Sequence, residues 1–270
     1  MSGNNAPIGI FDSGVGGLTV VHEVFKRLPK EKIIYFGDTA RVPYGTKSAN
    51  VVQKFALQDA LFLLEQDVKM LVVACHTASS TAMEHLQEHV EIPIVGVVEP
   101  GVIAGLKATQ NQHVGIIGTR GTVNSGTYQK KFQMHAPEVK LSAQACPLFV
   151  PLAEEGWLHN DVARQVSEIY LEPLKQESID TLILGCTHYT LLKPLLHEVM
   201  GSKVTLIDSA EETAISVGEA LKASGMENLG DKKSEHKFYV SDTPDRFIEI
   251  GEQFLNCSLG TVERVDIDTY

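Results

Sequence analysis

The sequence predicts an α/β protein made of two pseudo-symmetric, three-layer halves, each a mostly parallel central sheet covered by helices on both faces. Three observations carry this expectation. Short β-rich runs such as "PIGIFDS", "KIIYFGD" and "KMLVVAC" alternate with helical patterns, as βαβ units do. These runs are continuously apolar, as strands buried on both faces are. The chain also repeats itself weakly. "IGIFDSGVGGLT" and "VGIIGTRGTVNS" are both strand-to-loop openings, followed 63 and 67 residues later by a strand ending in cysteine (Asp12 to Cys75, Thr119 to Cys186).

In chain order, "PIGIFDS" precedes a helical pattern over residues 18–28, "KIIYFGD" one over 49–64, and "KMLVVAC" one over 77–89. "IPIVGVVEP" and "HVGIIGTRG" follow as successive strand-like runs. Then come a helix near 125–134, "VKLSAQAC", a helix over 160–176, and "TLILGCTHY" with a helix of its own. The tail adds "KVTLIDSAEET", "HKFYVSD" and "GTVERVDI". Those last strands have no sheet of their own, so the chain after Ile207 is expected to return to the first half. Residues 225–235, rich in Gly, Lys and Asp, read as the most exposed loop.

Composition narrows the function. With 270 residues, 43% of them hydrophobic and 21% charged, the chain can bury a full core and is not a disordered type. A formal net charge of -11 argues against nucleic acid as the main ligand, because phosphate backbones are bound by clustered Lys and Arg. An acidic small molecule stays open, since backbone N–H groups can supply local positive potential. The start "MSGNNAPIGIFDSG" lacks the basic and apolar segments of a signal peptide, and no apolar run approaches the roughly 18 residues that cross a bilayer. A cytoplasmic protein is expected. In that reducing compartment Cys75, Cys146, Cys186 and Cys257 are expected to be thiols.

The chemistry concentrates where strands end. "KMLVVACHTASS" and "TLILGCTHYT" each close an apolar run with a thiol followed by polar residues. If the two halves face one another, Cys75 and Cys186 approach one tetrahedral carbon from opposite sides. One can then remove a proton while the other delivers one, inverting the centre. Thiols suit this because their ordinary pKa of about 8.5 is readily moved by neighbours. Cys146 and Cys257 lack such a setting and read as small buried hydrophobes. Cys75, His76, Cys186 and His188 are also residue types that zinc accepts, but their spacing does not match the usual clips. A cysteine hydrolase is disfavoured because His76 adjoins Cys75 in the chain and would point away from it. "DSGVGGLT" exposes backbone N–H groups before a helix, yet Thr19 replaces the third glycine of a dinucleotide fingerprint and Asp12 would repel a pyrophosphate.

The combined segments "GIFDSGVGGLTV", "GDTARVPYG", "VVACHTAS", "VGVVEPG", "GIIGTRGTV", "CPLFVPLAEEG", "LGCTHYTLLKPLL" and "IDSAEETA" closely resemble the glutamate racemases of the aspartate/glutamate racemase family, in order and over nearly the whole chain. The resemblance implies two pseudo-symmetric domains, residues 1–97 with 208–270 and residues 98–207, with the active site in the cleft between them. It implies cofactor-independent inversion of glutamate by Cys75 and Cys186, no metal, D-glutamate destined for peptidoglycan, and a homodimer. Asp12, His188 and Glu154 match the auxiliary acid–base residues. Ser13, Thr77 and Thr187 match those holding the amino and α-carboxylate groups. Pro43, Tyr44 and Gly45, with Thr119 and Thr122, fall where the side-chain carboxylate is held. The sequence departs at His76, where the family usually has asparagine. A neutral imidazole there donates one hydrogen bond and an imidazolium adds a positive charge, so the substrate contact and preference, aspartate included, turn on His76. The rival reading is a noncatalytic protein that binds acidic amino acids.

Overall fold

The computed structural model describes residues 4–230 and 235–270. Its strands are β1 (Ile8–Asp12), β2 (Ile33–Gly37), β3 (Met70–Val73), β4 (Ile94–Gly96), β5 (His113–Gly118), β6 (Lys140–Ala145), β7 (Thr181–Gly185), β8 (Thr205–Asp208), β9 (Lys237–Val240) and β10 (Val262–Arg264). They form two sheets of parallel strands, ordered β10-β9-β2-β1-β3-β4 and β6-β5-β7-β8. The order β6-β5-β7-β8 reproduces β2-β1-β3-β4, so the weak sequence repeat has a topological counterpart. Each sheet centres on the strand that opens a repeat, β1 or β5. The tail adds β8 to the second sheet, then β9 and β10 to the first.

The helices are α1 (Leu18–Arg27), α2 (Ala49–Leu64), α3 (His76–Thr81), α4 (Met83–His89), α5 (Val98–Ala108), α6 (Arg120–Asn124), α7 (Thr127–His135), α8 (Phe149–Glu154), α9 (Asp161–Gln176), α10 (Lys193–Met200), α11 (Ser209–Ala223) and α12 (Pro244–Leu255). In the first sheet, alternate residues of β1 serve different faces. Ile8 and Ile10 pack into a cluster with Leu18, Val21 and Val24 of α1 and Val217 of α11. Phe11 joins Val52 and Ala56 of α2 and Leu86 of α4 on the other side. In the second sheet Ile117 and Ile116 divide likewise between two clusters. Local chemistry fixes the helix ends: the Asn160 side chain accepts from Ala163 N at 2.9 Å to cap α9, and Lys26 and Arg27 oppose the negative end of α1.

Several elements differ from the sequence expectation. "IPIVGVVEP" is a strand only to Gly96; from Val98 it is α5. Pro100 sits in the first turn, where its missing N–H costs nothing. Gly105 permits close approach, because a Cβ there would lie 2.8 Å from Ile183 Cδ1 of β7. The expected helix over 77–89 breaks at Ala82 into α3 and α4, where Thr81 Oγ1 donates back to Thr77 O at 2.7 Å, a bond that bends helices. The helix expected near 125 starts at Thr127, after Gly126 at φ 68°. Helices α6, α8, α11 and α12 were not anticipated. Cys257 is exposed, not buried as expected, while Cys146 is buried, and all four cysteines are free thiols. Of the expected loop at 225–235, residues 225–230 are irregular and partly exposed, and 231–234 lie outside the described residues. Among the described residues no helix is long and apolar enough to cross a membrane.

Candidate active site

The parallel sheets deliver their chemistry at the carboxyl ends of strands. In the first sheet Phe11 pairs with Val73, so Asp12 ends β1 beside the turn carrying Cys75, the residue that precedes α3. In the second sheet Gly118 pairs with Gly185, which sets Thr119 beside Cys186. Thr119 caps α6 by accepting from Thr122 N at 3.1 Å, and Cys186 precedes a 3₁₀ turn over Thr187–Leu192. The two thiols thus occupy equivalent places in the repeat.

A cavity of about 50 Å³ is lined by both of them. The first sheet and its loops contribute Asp12, Ser13, Pro43, Tyr44, Gly45, Cys75, His76 and Thr77. The second contributes Thr119, Glu154, Cys186, Thr187 and His188. A larger hollow of about 430 Å³ lies beyond Gly45 and Thr77 and is lined by Lys47 and Arg120, but it holds neither thiol. The acid–base groups converge in the smaller cavity, which is therefore the candidate site. Thr122 is the one expected residue outside that lining. It is buried behind the wall, with its hydroxyl 3.1 Å from Thr119 Oγ1 and 3.4 Å from Thr77 Oγ1. Thr77 Oγ1 lies 2.9 Å from Thr119 Oγ1, so hydroxyls bridge the two halves. Gly14, Val42 and Val150 also line the cavity. Sequence reasoning passed over them because an apolar or glycine lining residue carries no chemical signal of its own.

The two thiols have different surroundings. Cys75 donates to Ser13 Oγ at 3.6 Å. Burial, and then the nearby Asp12 carboxylate, push its pKa up to about 12 against the help of the Ala78 and Ser13 N–H groups, so it rests as a thiol. Burial also raises the Asp12 pKa, opposed by His188 and by the Gly14 N–H, which donates to Asp12 Oδ2 at 2.9 Å. Cys186 instead has His188 Nδ1 at 3.9 Å, and the far ring nitrogen donates to Glu154 Oε1 at 2.9 Å. Burial opposes a charge on His188, but Cys186 and Glu154 more than offset it and raise its pKa to about 10. Burial opposes ionisation of Glu154 too, and the His188 contact outweighs it, so the Glu154 pKa is lowered and the two partners agree on an ion pair. His76 is buried, its two ring nitrogens have no partner among the described residues, and burial lowers its pKa to about 3. It is a neutral imidazole, not the imidazolium that the sequence left open. The Tyr44 hydroxyl turns away from the cavity toward Asp38 and Asp59, leaving the backbone of residues 43–45 as the wall.

The His188 pair has a consequence for stability. Its folded pKa lies above the ordinary 6.5, so its contribution is complete below 6.5 and is lost as pH rises through about 10. The urea midpoint of the protein is therefore expected to exceed that of His188→Asn most at low pH, and the gap is expected to shrink between pH 6.5 and 10. A gap that widens over that range contradicts the ion pair.

Two parallel sheets of matching order each carry a thiol just past the end of one strand, and both thiols line one small cavity. Residues 12–216 match the family model described as Asp/Glu/Hydantoin racemase. The chain is 51% identical over 261 residues to a glutamate racemase of Geobacter metallireducens, covering 97% of both chains. A crystal structure of glutamate racemase from Francisella tularensis in complex with D-glutamate superimposes with a TM-score of 0.93 at 39% identity, covering 99% of this chain and 100% of that one. The Escherichia coli glutamate racemase in complex with L-glutamate and the activator UDP-MurNAc-ala gives a TM-score of 0.78 at 29% identity, with 96% and 98% covered. The chain belongs to the Asp/Glu/Hydantoin racemase family, and it is a racemase, an isomerase.

Proposed function

We propose that the enzyme interconverts L- and D-glutamate by a two-base mechanism in which Cys75 and Cys186 act on opposite faces of Cα. One observation carries this: a single small cavity is lined by a thiol from each of the two matching halves. Cys75 removes the α-proton of D-glutamate and Cys186 that of L-glutamate, and each reprotonates the product of the other's abstraction. Asp12 and the Glu154-oriented His188 serve as the adjoining proton stores. The α-proton is far less acidic than a thiol, so charge developing at the carboxylate must be met by donors already in place. In this reading Thr77, Thr187 and His76 supply those donors, and closure of the cleft excludes water. Ser13 holds the amino group, and the Tyr44 and Gly45 N–H groups of the wall, with Thr119 backed by Thr122, hold the side-chain carboxylate.

In this reading residues 1–97 with 208–270 form one domain and 98–207 the other, and they part to admit the substrate. The product supplies D-glutamate for peptidoglycan, in the cytoplasm, by a homodimer. The test is circular dichroism of L-glutamate in deuterated water. Inversion with solvent deuterium entering Cα is expected, faster than with aspartate. Binding without inversion would leave an acidic amino-acid binding protein instead.

His76 gives a second check. The neutral ring has one N–H and one acceptor, and the substrate is their intended partner. His76→Phe removes the donor and is expected to raise KM about tenfold, the loss of one hydrogen bond of roughly 1.4 kcal/mol, whereas His76→Asn restores a donor and recovers most of it. Unchanged KM in the Phe variant means that the imidazole does not touch the substrate.

A further inference from the structure

We propose that Asp59, which does not line the cavity, is a positioning residue that carries a proton and thereby fixes the wall formed by residues 42–45. The inference rests on the reading of that wall as the holder of the substrate's side-chain carboxylate.

Proton counting supports it. Behind the wall Asp38 and Asp59 are both 0% exposed. The Tyr44 hydroxyl lies 2.5 Å from Asp38 Oδ2 and 2.9 Å from Asp59 Oδ2. A phenol has one proton, so it can donate a full hydrogen bond to only one carboxylate. The other short contact is a bond only if that carboxyl group supplies the hydrogen. Asp38 already accepts from three donors, Arg41 Nε at 2.6 Å, Ser241 Oγ at 2.8 Å and Tyr44. Apart from the Tyr44 contact on Oδ2, Asp59 has among the described residues one donor, Arg41 Nη2, at 2.9 Å on Oδ1. The proton therefore sits on Asp59 Oδ2, giving the relay Asp59 to Tyr44 to Asp38.

Charge balance agrees. Among the described residues Arg41 is the one cation in contact with both carboxyl groups. Its Nη1 donates to Gln58 Oε1 at 2.7 Å, and its guanidinium lies 4.2 Å over the Phe55 ring. Two buried carboxylates against one guanidinium would leave an uncompensated charge in a dry site, which costs more than protonating one of them. Burial first, and then Asp38, push the Asp59 carboxyl well above the ordinary carboxylate range.

The relay matters because residues 42–45 have little regular structure of their own beyond the 3₁₀ turn Tyr44–Thr46. Holding the Tyr44 ring on α2 sets where the Tyr44 and Gly45 backbone meets the substrate and where Gly45 abuts Thr119, 2.7 Å from a Cβ added there.

Two variants and one spectrum test this. Asn is an isostere of the protonated carboxyl group, so Asp59→Asn is expected to keep KM and kcat for glutamate within about twofold of the parent enzyme. Asp59→Leu fills the space without the relay and is expected to raise KM about tenfold with kcat little changed, the mark of lost binding rather than lost chemistry. In the unmutated protein labelled with ¹³C at Asp Cγ, the resonance missing from Asp59→Asn is expected at the protonated position and constant from pH 6 to 8. Asn as damaging as Leu, both variants behaving as the parent, or a carboxylate-like resonance overturns the proposal. Should the parent enzyme fail to racemise glutamate, the functional reading falls on its own, and the resonance still decides the protonation of Asp59.

Discussion

Replacing Cys75 or Cys186 by Ala is expected to lower glutamate racemisation by about 10³-fold or more, within the 10²–10⁴ range that a positioned acid or base contributes, while the far-UV circular dichroism stays that of the parent. The fold tolerates the change because both sulfurs line a cavity. Removing one enlarges an existing space and gives up only a long sulfur contact, Cys75 to Ser13 Oγ at 3.6 Å or Cys186 to His188 Nδ1 at 3.9 Å, and His188 Nδ1 keeps Thr187 Oγ1 at 3.5 Å. The chemistry does not tolerate it, since inversion needs a base on one face and an acid on the other within a single turnover. In the proposed scheme the two residues act as a unit, so the double variant is expected to be little worse than either single one. The asymmetry of the pair sharpens the expectation. Cys75 rests as a thiol beside Asp12 and enters the cycle most readily as the proton donor, whereas Cys186 has an imidazolium at 3.9 Å. Racemisation at more than a tenth of the parent rate in either single variant is incompatible with the two-base scheme.

Legibility in the sequence followed the strength of local signals. Continuous apolar runs ending in reactive side chains located β1, β3, β5 and β7, and the spacings from Asp12 to Cys75 and Thr119 to Cys186 foretold the matched strand order of the two sheets. Helix α5 was hidden because Pro100, Gly101 and Gly105 lower its intrinsic propensity, and only packing against Ile183 explains the glycine at 105. In α12 the "TP" opening was the available start signal, with Pro244 in the first turn. At the site, side chains with titratable or donor groups were legible from type and position. The neutral state of His76 was not, because it depends on burial from every side. Nor was the direction of the Tyr44 hydroxyl, which answers to Asp59, fifteen residues away and on another element.

Gly16→Ala is expected to reduce kcat/KM by about 100-fold, the scale on which a displacement near 1 Å acts in an active site. Gly16 lies in the turn before α1, and its φ lies outside the left-handed region, so conformational freedom does not require the glycine. Space does. A Cβ there would fall against Thr187 Oγ1 and 2.5 Å from His188 Nδ1. This is where the first half presses its backbone onto the Thr187–His188 turn of the second, and Thr19 Oγ1 reaches Thr187 O at 3.5 Å beside it. The added methyl can be accommodated in two ways. His188 can swing aside, which lengthens its 3.9 Å contact to Cys186 and its 2.9 Å bond to Glu154, or the halves can separate, which moves Cys186 away from the carbon that Cys75 still reaches. Both outcomes leave each half folded and spoil the geometry between them, so the loss is expected in turnover with an unchanged far-UV spectrum. Gly218→Ala in α11 is the matched control: its nearest contact would be the flexible end of Leu28 at 3.3 Å, and alanine is the better helix former. Parent-like activity in Gly16→Ala would mean that the close contact between Gly16 and the Thr187–His188 turn is not part of the reacting state.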